Sequence, residues 1–397
     1  MSSSFAQNLQ SVLRRNIRDY GMLIALFVIM ATFSALTDGV FVSARNISNL
    51  MNQTGYIAVL AVGMTLVIVI RHIDLSVGFL AGFIGAVTAI ALTAWQLPIY
   101  VAIPMVLILG ILAGLITGFL VAQMKIPAFV ASLAGWLIYR GALLLSTEGT
   151  GTIIIPDEAY NAIGNGYIPD IPGLEGLIPG VHLLTLAIGL VAMVLYIVNE
   201  VNSRRKKQSY GFEVLPGDIF ALKLVVVSAV LAAVTWVLAG YNGISWTLVV
   251  VLVVVAVYHF VTSETVLGRH IYALGGNPEA AQLSGISISR ITYVVFGSMG
   301  MLSALSGILF SSRLQSATTT AGNLFELDAI AAAYVGGVSA AGGVGKVTGS
   351  LIGALVMGSL ISGMNLMGVG IAYQYILRGA VLVAAVIFDV ATRNPGK

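Results

Sequence analysis

The sequence predicts an all-α protein, a polytopic transmembrane helix bundle of about 10–12 spans. Three observations predict it. Hydrophobic residues make up 58% of the chain and charged residues only 9%, far from the roughly 25% charged residues of an average soluble domain. Charge-free runs such as Leu75 to Met124 and Leu224 to Ser263 are each long enough for a pair of spans joined by a turn, one span taking about 20 residues. These runs also lack the period-two alternation over about ten residues that marks barrel strands.

The first span runs from Tyr20 to Leu36, with Arg14, Arg15 and Arg18 ahead of it on the inside. That leader superficially fits a signal peptide, but no small-residue cleavage site is clear, so it reads as an uncleaved first helix. A polar stretch, Thr37 to Thr54, carries Asn46, Asn49, Asn52 and Gln53. The next apolar run, Gly55 to Ile70, meets Arg71-His72-Ile73-Asp74-Leu75-Ser76-Val77-Gly78 and resumes to about Ala94. Spans to Gln123 and from Pro127 to Leu145 follow.

From Ser146 to Gly180 the chain carries acids, no lysine or arginine, and many Gly and Pro, the composition of an outside loop. A span from Val181 to Val198 then delivers Arg204-Arg205-Lys206-Lys207, which the positive-inside tendency places in the cytoplasm. A hairpin at Ile219 to Ala239 and Ser245 to Thr262 returns the chain to the same side. Beyond it come a span from Ile291 to Ser311, a polar outside segment, a Gly-rich run from Asp328 to Gly345, and spans at Thr348 to Met364 and Tyr373 to Phe388. If each run crosses once there are about twelve spans, with both termini inside; broken or re-entrant helices near Asp74 and Gly336 reduce the number to about ten. The interruptions at Asp74 to Gly78 and at Ala331 to Gly345 form a faint internal echo, the kind of paired interruption that marks a transport pathway.

Between the last two groups lies a polar island, Gly268 to Ile286, within a cytoplasmic loop expected over residues 263–290. It predicts a short surface helix: Asn277 caps, Pro278 suits the first helical position, Glu279 faces the positive end of the dipole, and Gly285 ends the helix.

The absence of cysteine excludes disulfides, thiolate chemistry and cysteine metal sites. The net charge of +3 gives no sign of nucleic-acid binding, because the cations cluster at the ends of apolar runs. Gly342-Gly343-Val344-Gly345-Lys346-Val347 fails as a phosphate loop: Val347 stands where Ser or Thr should follow the lysine, and Ala340 where the first glycine should be. No HExxH, GxSxG or histidine cluster points to an enzyme, and none supplies a metal site.

Gly110, Gly114 and Gly118, and Gly78 with Gly82, are small-xxx-small ladders that read as helix packing sites, with a dimer interface or gate as the alternative. Asp74 is the principal candidate for an intramembrane acid, and an ionisable group there needs a partner or a watery cavity. It reads either as a cap, helped by Ser76, for a helix beginning at Leu75, or as part of the pathway. Asn323, Glu326 and Asp328 either orient a helix start or line an outer mouth. Trp136, Tyr139 and Arg140 are interfacial anchors or cavity walls.

Glu279-Ala280-Ala281-Gln282-Leu283-Ser284-Gly285 fits EAAxxxG, the cytoplasmic loop pattern of ABC importer permeases. With Ala61-Val62-Gly63-Met64-Thr65, Ile73 to Gly78, Gly275-Gly276-Asn277, Leu283 to Ile286 and Glu326 to Ala332, the chain resembles monosaccharide permeases of the ribose/xylose type from about Asn46 to Asp389. It is most similar to the xylose and multiple-monosaccharide permeases, with an extra hairpin around residues 181–239 relative to ribose permeases. Thr117-Gly118, where relatives often have Asn-Gly, and Ala128, where a second proline is frequent, depart from the pattern.

The resemblance implies one permease domain with a fold like the type II ABC importers, in the bacterial inner membrane. It implies no cofactor on this chain; ATP and magnesium belong to a separate cytoplasmic ATPase with two nucleotide-binding halves. The other expected partners are a second copy of the chain, a periplasmic sugar-binding protein and membrane lipid. Asn277, Pro278, Glu279, Ala280, Ala281, Leu283 and Gly285 are then the ATPase-coupling residues. Asp74, Ser76, Asn323, Glu326 and Asp328 are candidates for pathway or gate.

Overall fold

A computed structural model describes residues 17–173 and 178–393, with side chains from 21 to 391 within those ranges. Arg14 and Arg15, used above for topology, lie outside the described residues, as does the side chain of Arg18. Apart from one small ribbon and the connecting loops, the described residues are helical. Its elements are α1 (Ile17–Leu36), α2 (Ala44–Val69), α3 (Val77–Thr93), α4 (Ile99–Ala122), α5 (Ala128–Ser146), β1 (Thr152–Ile154), α6 (Glu158–Asn165), α7 (Leu183–Ser209), α8 (Gly217–Ala239), α9 (Trp246–Glu264), α10 (Val266–Gly276), α11 (Pro278–Leu283), α12 (Ile288–Leu314), β2 (Ser316–Thr318), α13 (Phe325–Val335), α14 (Val347–Leu366) and α15 (Ile371–Arg393).

Among the described residues, nine helices are long and apolar enough to cross a membrane, and α1 and α3 are shorter apolar helices. The eleven residues of α13 reach only about 16 Å at 1.5 Å per residue, half a hydrocarbon core. The Gly-rich run read from Asp328 to Gly345 is therefore helical only to Val335; Gly336 ends it, and Gly337, Gly342 and Gly343 have φ of 83°, 81° and 71°. The chain resumes as α14 at Val347 beyond these glycines, as it resumes as α3 at Val77 beyond the break at Asp74.

The chain separates into two compact units. The first, taking among the described residues 17–21, 42–49 and 167–245, is built on the antiparallel pair α7 and α8. Gly189 lets α7 approach Thr235 of α8, and Lys223 Nζ meets Glu200 Oε1 at 2.8 Å. Arg204 lies 4.5 Å from the ring centre of Phe220. The outward faces of both helices stay apolar, with Val191, Leu195, Val225 and Trp236 exposed, as lipid contact demands.

In the second unit, α12 is the axis on which α3 and α4 pack. Gly110 and Gly114 of α4 rest on the backbone of Gly300 and Phe296 of α12, so at these two positions the glycine ladder serves helix packing; a methyl group at either would meet a carbonyl. Gly307 plays the same part against Ala81 of α3. Thr65 of α2 and Ser350 of α14 share a buried hydroxyl pair at 2.5 Å. In the stretch read as an outside loop, β1 pairs antiparallel with β2, Thr152 facing Thr318, and α6 is capped by Asp157, which accepts from Tyr160 N.

Candidate functional site

The interruption after α2 begins with Arg71 in the left-handed region at φ 67°. Asp74 is 3% exposed, and its Oδ1 accepts from Ser76 N at 2.9 Å and Ser76 Oγ at 2.6 Å. The helix starts at Val77 rather than Leu75, and Ser76 occupies its cap position without a side-chain cap bond. Asp74 thus fixes the turn ahead of α3 instead of capping the helix amides.

Opposite this turn, α13 begins at Phe325 from a Leu324 held at φ 65°. Gly78 and Gly322 abut backbone to backbone, and a side chain at Gly78 would strike the Glu326 carboxylate. Trp136 Nε1 of α5 donates to Glu326 Oε1 at 3.0 Å, while Glu326 Oε2 is buried without a hydrogen-bond partner. Trp136 packs edge-on to Phe79 at 4.7 Å; Arg140 lies 4.9 Å over the same ring and donates to the Thr319 carbonyl. Trp136 and Arg140 therefore help to build this centre. Two helix starts and one crossing helix meet at a buried carboxylate, the arrangement of interrupted helices that transporters use.

Asn323 and Asp328 lie apart from that centre. They line a cavity of about 190 Å3 with Gln53, Thr54, Tyr56 and Arg378. Asp328 Oδ2 pairs with Arg378 Nη1 at 3.2 Å. The five pathway candidates thus divide into Asp74, Ser76 and Glu326 at the centre and Asn323 and Asp328 in the cavity. Asp74 is not the only acid in the interior, since Glu326 and Asp328 are 5% and 9% exposed. Sequence reasoning missed Arg378, although a lone arginine within the apolar run of α15 was a legible signal that it needs a buried partner.

The polar island folds as α10 and α11. Asn277 Oδ1 accepts from Ala280 N at 3.0 Å and Pro278 takes the first turn. Gly285, at φ 84°, closes the helix with Ile286 N donating to Ala281 O at 3.0 Å. Ala281 is buried; Glu279, Ala280 and Gln282 face out, and Leu283 is 90% exposed.

Beneath it, Arg71 Nε donates to Gly275 O at 2.6 Å and Arg71 Nη2 to Gly276 O at 2.5 Å. Gly343 N donates to Val69 O at 2.8 Å, so the failed phosphate loop spends an amide on the end of α2. Tyr272 OH donates to Gly345 O at 2.7 Å, and burial raises its pKa, which keeps it a donor. Gly275 is required where it stands, since a methyl group would meet the Val69 carbonyl.

An all-α polytopic bundle with interrupted helices, a buried polar centre and a presented surface helix defines a multi-pass membrane permease. The chain belongs to the family described as branched-chain amino acid transport system / permease component, whose model matches residues 46–386. It is 39% identical to the xylose transport system permease protein of Haemophilus influenzae over 379 residues, covering 96% of this chain and 98% of that one. With the xylose permease of Escherichia coli K12 it shares 39% over 381 residues, 96% and 93% of the two chains. With the ribose import permease of Haemophilus influenzae it shares 36% over 369 residues, 92% and 91% of the two chains. No solved structure matches the chain at a significant level.

Proposed function

We propose that this chain is the membrane-spanning permease subunit of an ATP-driven importer that moves a monosaccharide of the pentose class from periplasm to cytoplasm. The relatives named for xylose and ribose, matched along nearly their whole length, support the solute class. The observation that carries the ATP-driven reading is α11: a capped, exposed EAAxxxG helix, presenting Leu283 outward and tied through Arg71 to the interruption that holds Asp74.

In this reading a cytoplasmic ATPase with two nucleotide-binding halves, carrying ATP and magnesium, grips α11. A periplasmic binding protein delivers sugar to two copies of the chain, and both termini are cytoplasmic. Affinity resides in the binding protein, so the permease needs only a sparse set of hydrogen-bonding groups. The ATPase must contact α11 differently in the outward and inward states, because an equilibrium shifts only by differential binding.

Reconstitution with the ATPase and binding protein tests this directly, by asking which sugars accumulate in vesicles only with ATP. Replacing Glu279 and Leu283 together is expected to abolish the response of ATP hydrolysis to sugar-loaded binding protein; a normal response would refute the coupling role. Glu326, buried with one oxygen unpaired, is the group a proton-coupled transporter would use. Uptake driven by a pH gradient without ATP would select that reading.

A further inference from the structure

The hairpin of α7 and α8 ends in a cluster of cations that the transport reading leaves unused. Arg204, Arg205, Lys206 and Lys207 are consecutive near the end of α7. At 3.6 residues per turn, four consecutive side chains ring the helix, so they cannot all face α8. Arg204 leans on the Phe220 ring of α8 at 4.5 Å, while Arg205, Lys206 and Lys207 are exposed. Lys223 and Glu200 neutralise each other at 2.8 Å. With Glu213 and Asp218 counted, the tip from Glu200 to Lys223 keeps a net charge of +2.

The length of α7 sets the depth of these cations. Its 27 residues reach about 40 Å at 1.5 Å per residue, against a hydrocarbon core of about 30 Å. With Leu183, the first residue of α7, at the outer edge of the core, the four cations stand about 32–36 Å further on. That is inside the headgroup layer, which adds about 5–8 Å on each side. Tyr210 and Phe212 follow, both exposed, and aromatic rings favour the same level. Gly211, at φ 73°, turns the chain, and Phe212 N donates to Lys207 O at 2.9 Å, which keeps the second ring beside the cations. Neutralising the carbonyl end of the helix accounts for Lys206 and Lys207 in its last turn, but not for Arg205 or for the two exposed rings.

We propose that the tip of the α7–α8 hairpin binds anionic phospholipid headgroups of the inner leaflet, the lipid phosphates meeting Arg205, Lys206 and Lys207 while Tyr210 and Phe212 lie at the interface. Clusters of four or more cations directly after a membrane span attract such lipids. The inner leaflet is the side on which the positive-inside tendency places this cluster. The proposal needs only that the chain spans the inner membrane, so it stands or falls independently of sugar import.

The chain contains no cysteine, so a single Gln208→Cys at the exposed tip places one fluorophore there. The full-length permease is reconstituted in phosphatidylcholine bilayers. Phosphatidylglycerol or, separately, phosphatidylcholine with a nitroxide near the top of one acyl chain is then titrated in. The ratio of the two association constants from quenching reads the preference for an anionic headgroup. Each cation near the surface is worth about fivefold. Arg205→Gln, Lys206→Gln and Lys207→Gln together are therefore expected to lower the preference on the order of a hundredfold. A fall of tenfold or more supports the proposal, and a smaller one overturns it. A second measurement keeps the charges in place, so it decides the matter even if the triple variant does not fold. Raising salt from about 0.1 M to about 1 M shortens the Debye length from about 10 Å to about 3 Å. The preference for phosphatidylglycerol is expected to collapse; one that is absent at low salt or unchanged at high salt overturns the proposal.

Discussion

Arg71 ties the end of α10, beside the surface helix, to the interior, and its removal has a calculable consequence. Its guanidinium makes two charge-assisted bonds, to Gly275 O at 2.6 Å and Gly276 O at 2.5 Å. Such bonds are worth about 1.5–3 kcal/mol each when buried. Arg71 is solvent-exposed and the bond to Gly276 is exposed as well, so water replaces much of the loss and about 2 kcal/mol remains for the pair. At 1.4 kcal/mol per decade, that is roughly a thirtyfold shift in the equilibrium between a tied and an untied α10–α11. Arg71→Ala keeps the left-handed backbone at φ 67° without relieving it, so the variant removes the tie alone. At normal membrane abundance, the expected result is retained basal ATP hydrolysis with sugar moved per ATP reduced by on the order of tenfold. Arg71→Lys is expected to recover part of the coupling, because an ammonium reaches one carbonyl but does not span two in a fixed fork. The assay is labelled-sugar uptake set against phosphate release in the same vesicles. Wild-type sugar per ATP in Arg71→Ala would refute the strut.

Two further outcomes follow from local geometry. Asp74 Oδ1 serves Ser76 twice, and asparagine offers the same oxygen, so Asp74→Asn should retain normal abundance and most transport. Asp74→Ala should lose about 1–3 kcal/mol and with it abundance; collapse of transport in an abundant Asp74→Asn protein would make the carboxylate a pathway charge instead of an anchor. In the first unit, Asp170 accepts from the amides of Ile171, Leu183 and Leu184. Some desolvation acts to raise its pKa, but these donors and nearby His182 together hold it below the ordinary carboxylate value. A depressed folded value means that its stabilisation of the start of α7 is present above the ordinary value and lost as pH falls through the lowered one. Hydrogen exchange at Leu183 and Leu184 should therefore lose protection in acid; protection independent of pH there would overturn the assignment.

Composition and runs made the helical class and most span positions legible, because lipid leaves a chain few ways to satisfy its backbone. The caps of α11 were legible because Asn277, Pro278 and Gly285 act within their own few residues. The extent of α13 was not legible: Asp328 to Gly345 reads as one small-residue run, and only the contact of Gly336 with Gly349 and the loop back to Val69 show why helix stops at Val335. Arg140 stayed between two readings, interfacial anchor or cavity wall, for a similar reason. A Trp-Tyr-Arg cluster is a common interfacial signature, and nothing local says that Phe79 and the Thr319 carbonyl stand opposite. Pairings of residues far apart in the chain, such as Asp328 with Arg378, leave only the indirect mark of an isolated charge in an apolar run.

In the coupling role proposed for α11, the energetics explain why a six-residue helix needs so stiff a connection. Moving a two-state permease from mostly outward to mostly inward takes about 5.5 kcal/mol of differential binding. Burying Leu283, now 90% exposed, supplies about 1.5–3 kcal/mol, and the proposed second copy doubles it to about 3–6 kcal/mol. The sum barely meets the requirement, so little can be lost between the ATPase and the interior. A loose α11 would let the partner bind both states alike and shift nothing. Here the path is short and made of fixed groups: the Gly275 and Gly276 carbonyls to Arg71, three residues of backbone to Asp74, its two bonds to Ser76, and Ser76 packed on Gly135 beside the Trp136 that holds Glu326. Contiguity alone does not prove coupling, which is why the decisive measurement is sugar moved per ATP in Arg71→Ala and not the rate of either reaction by itself.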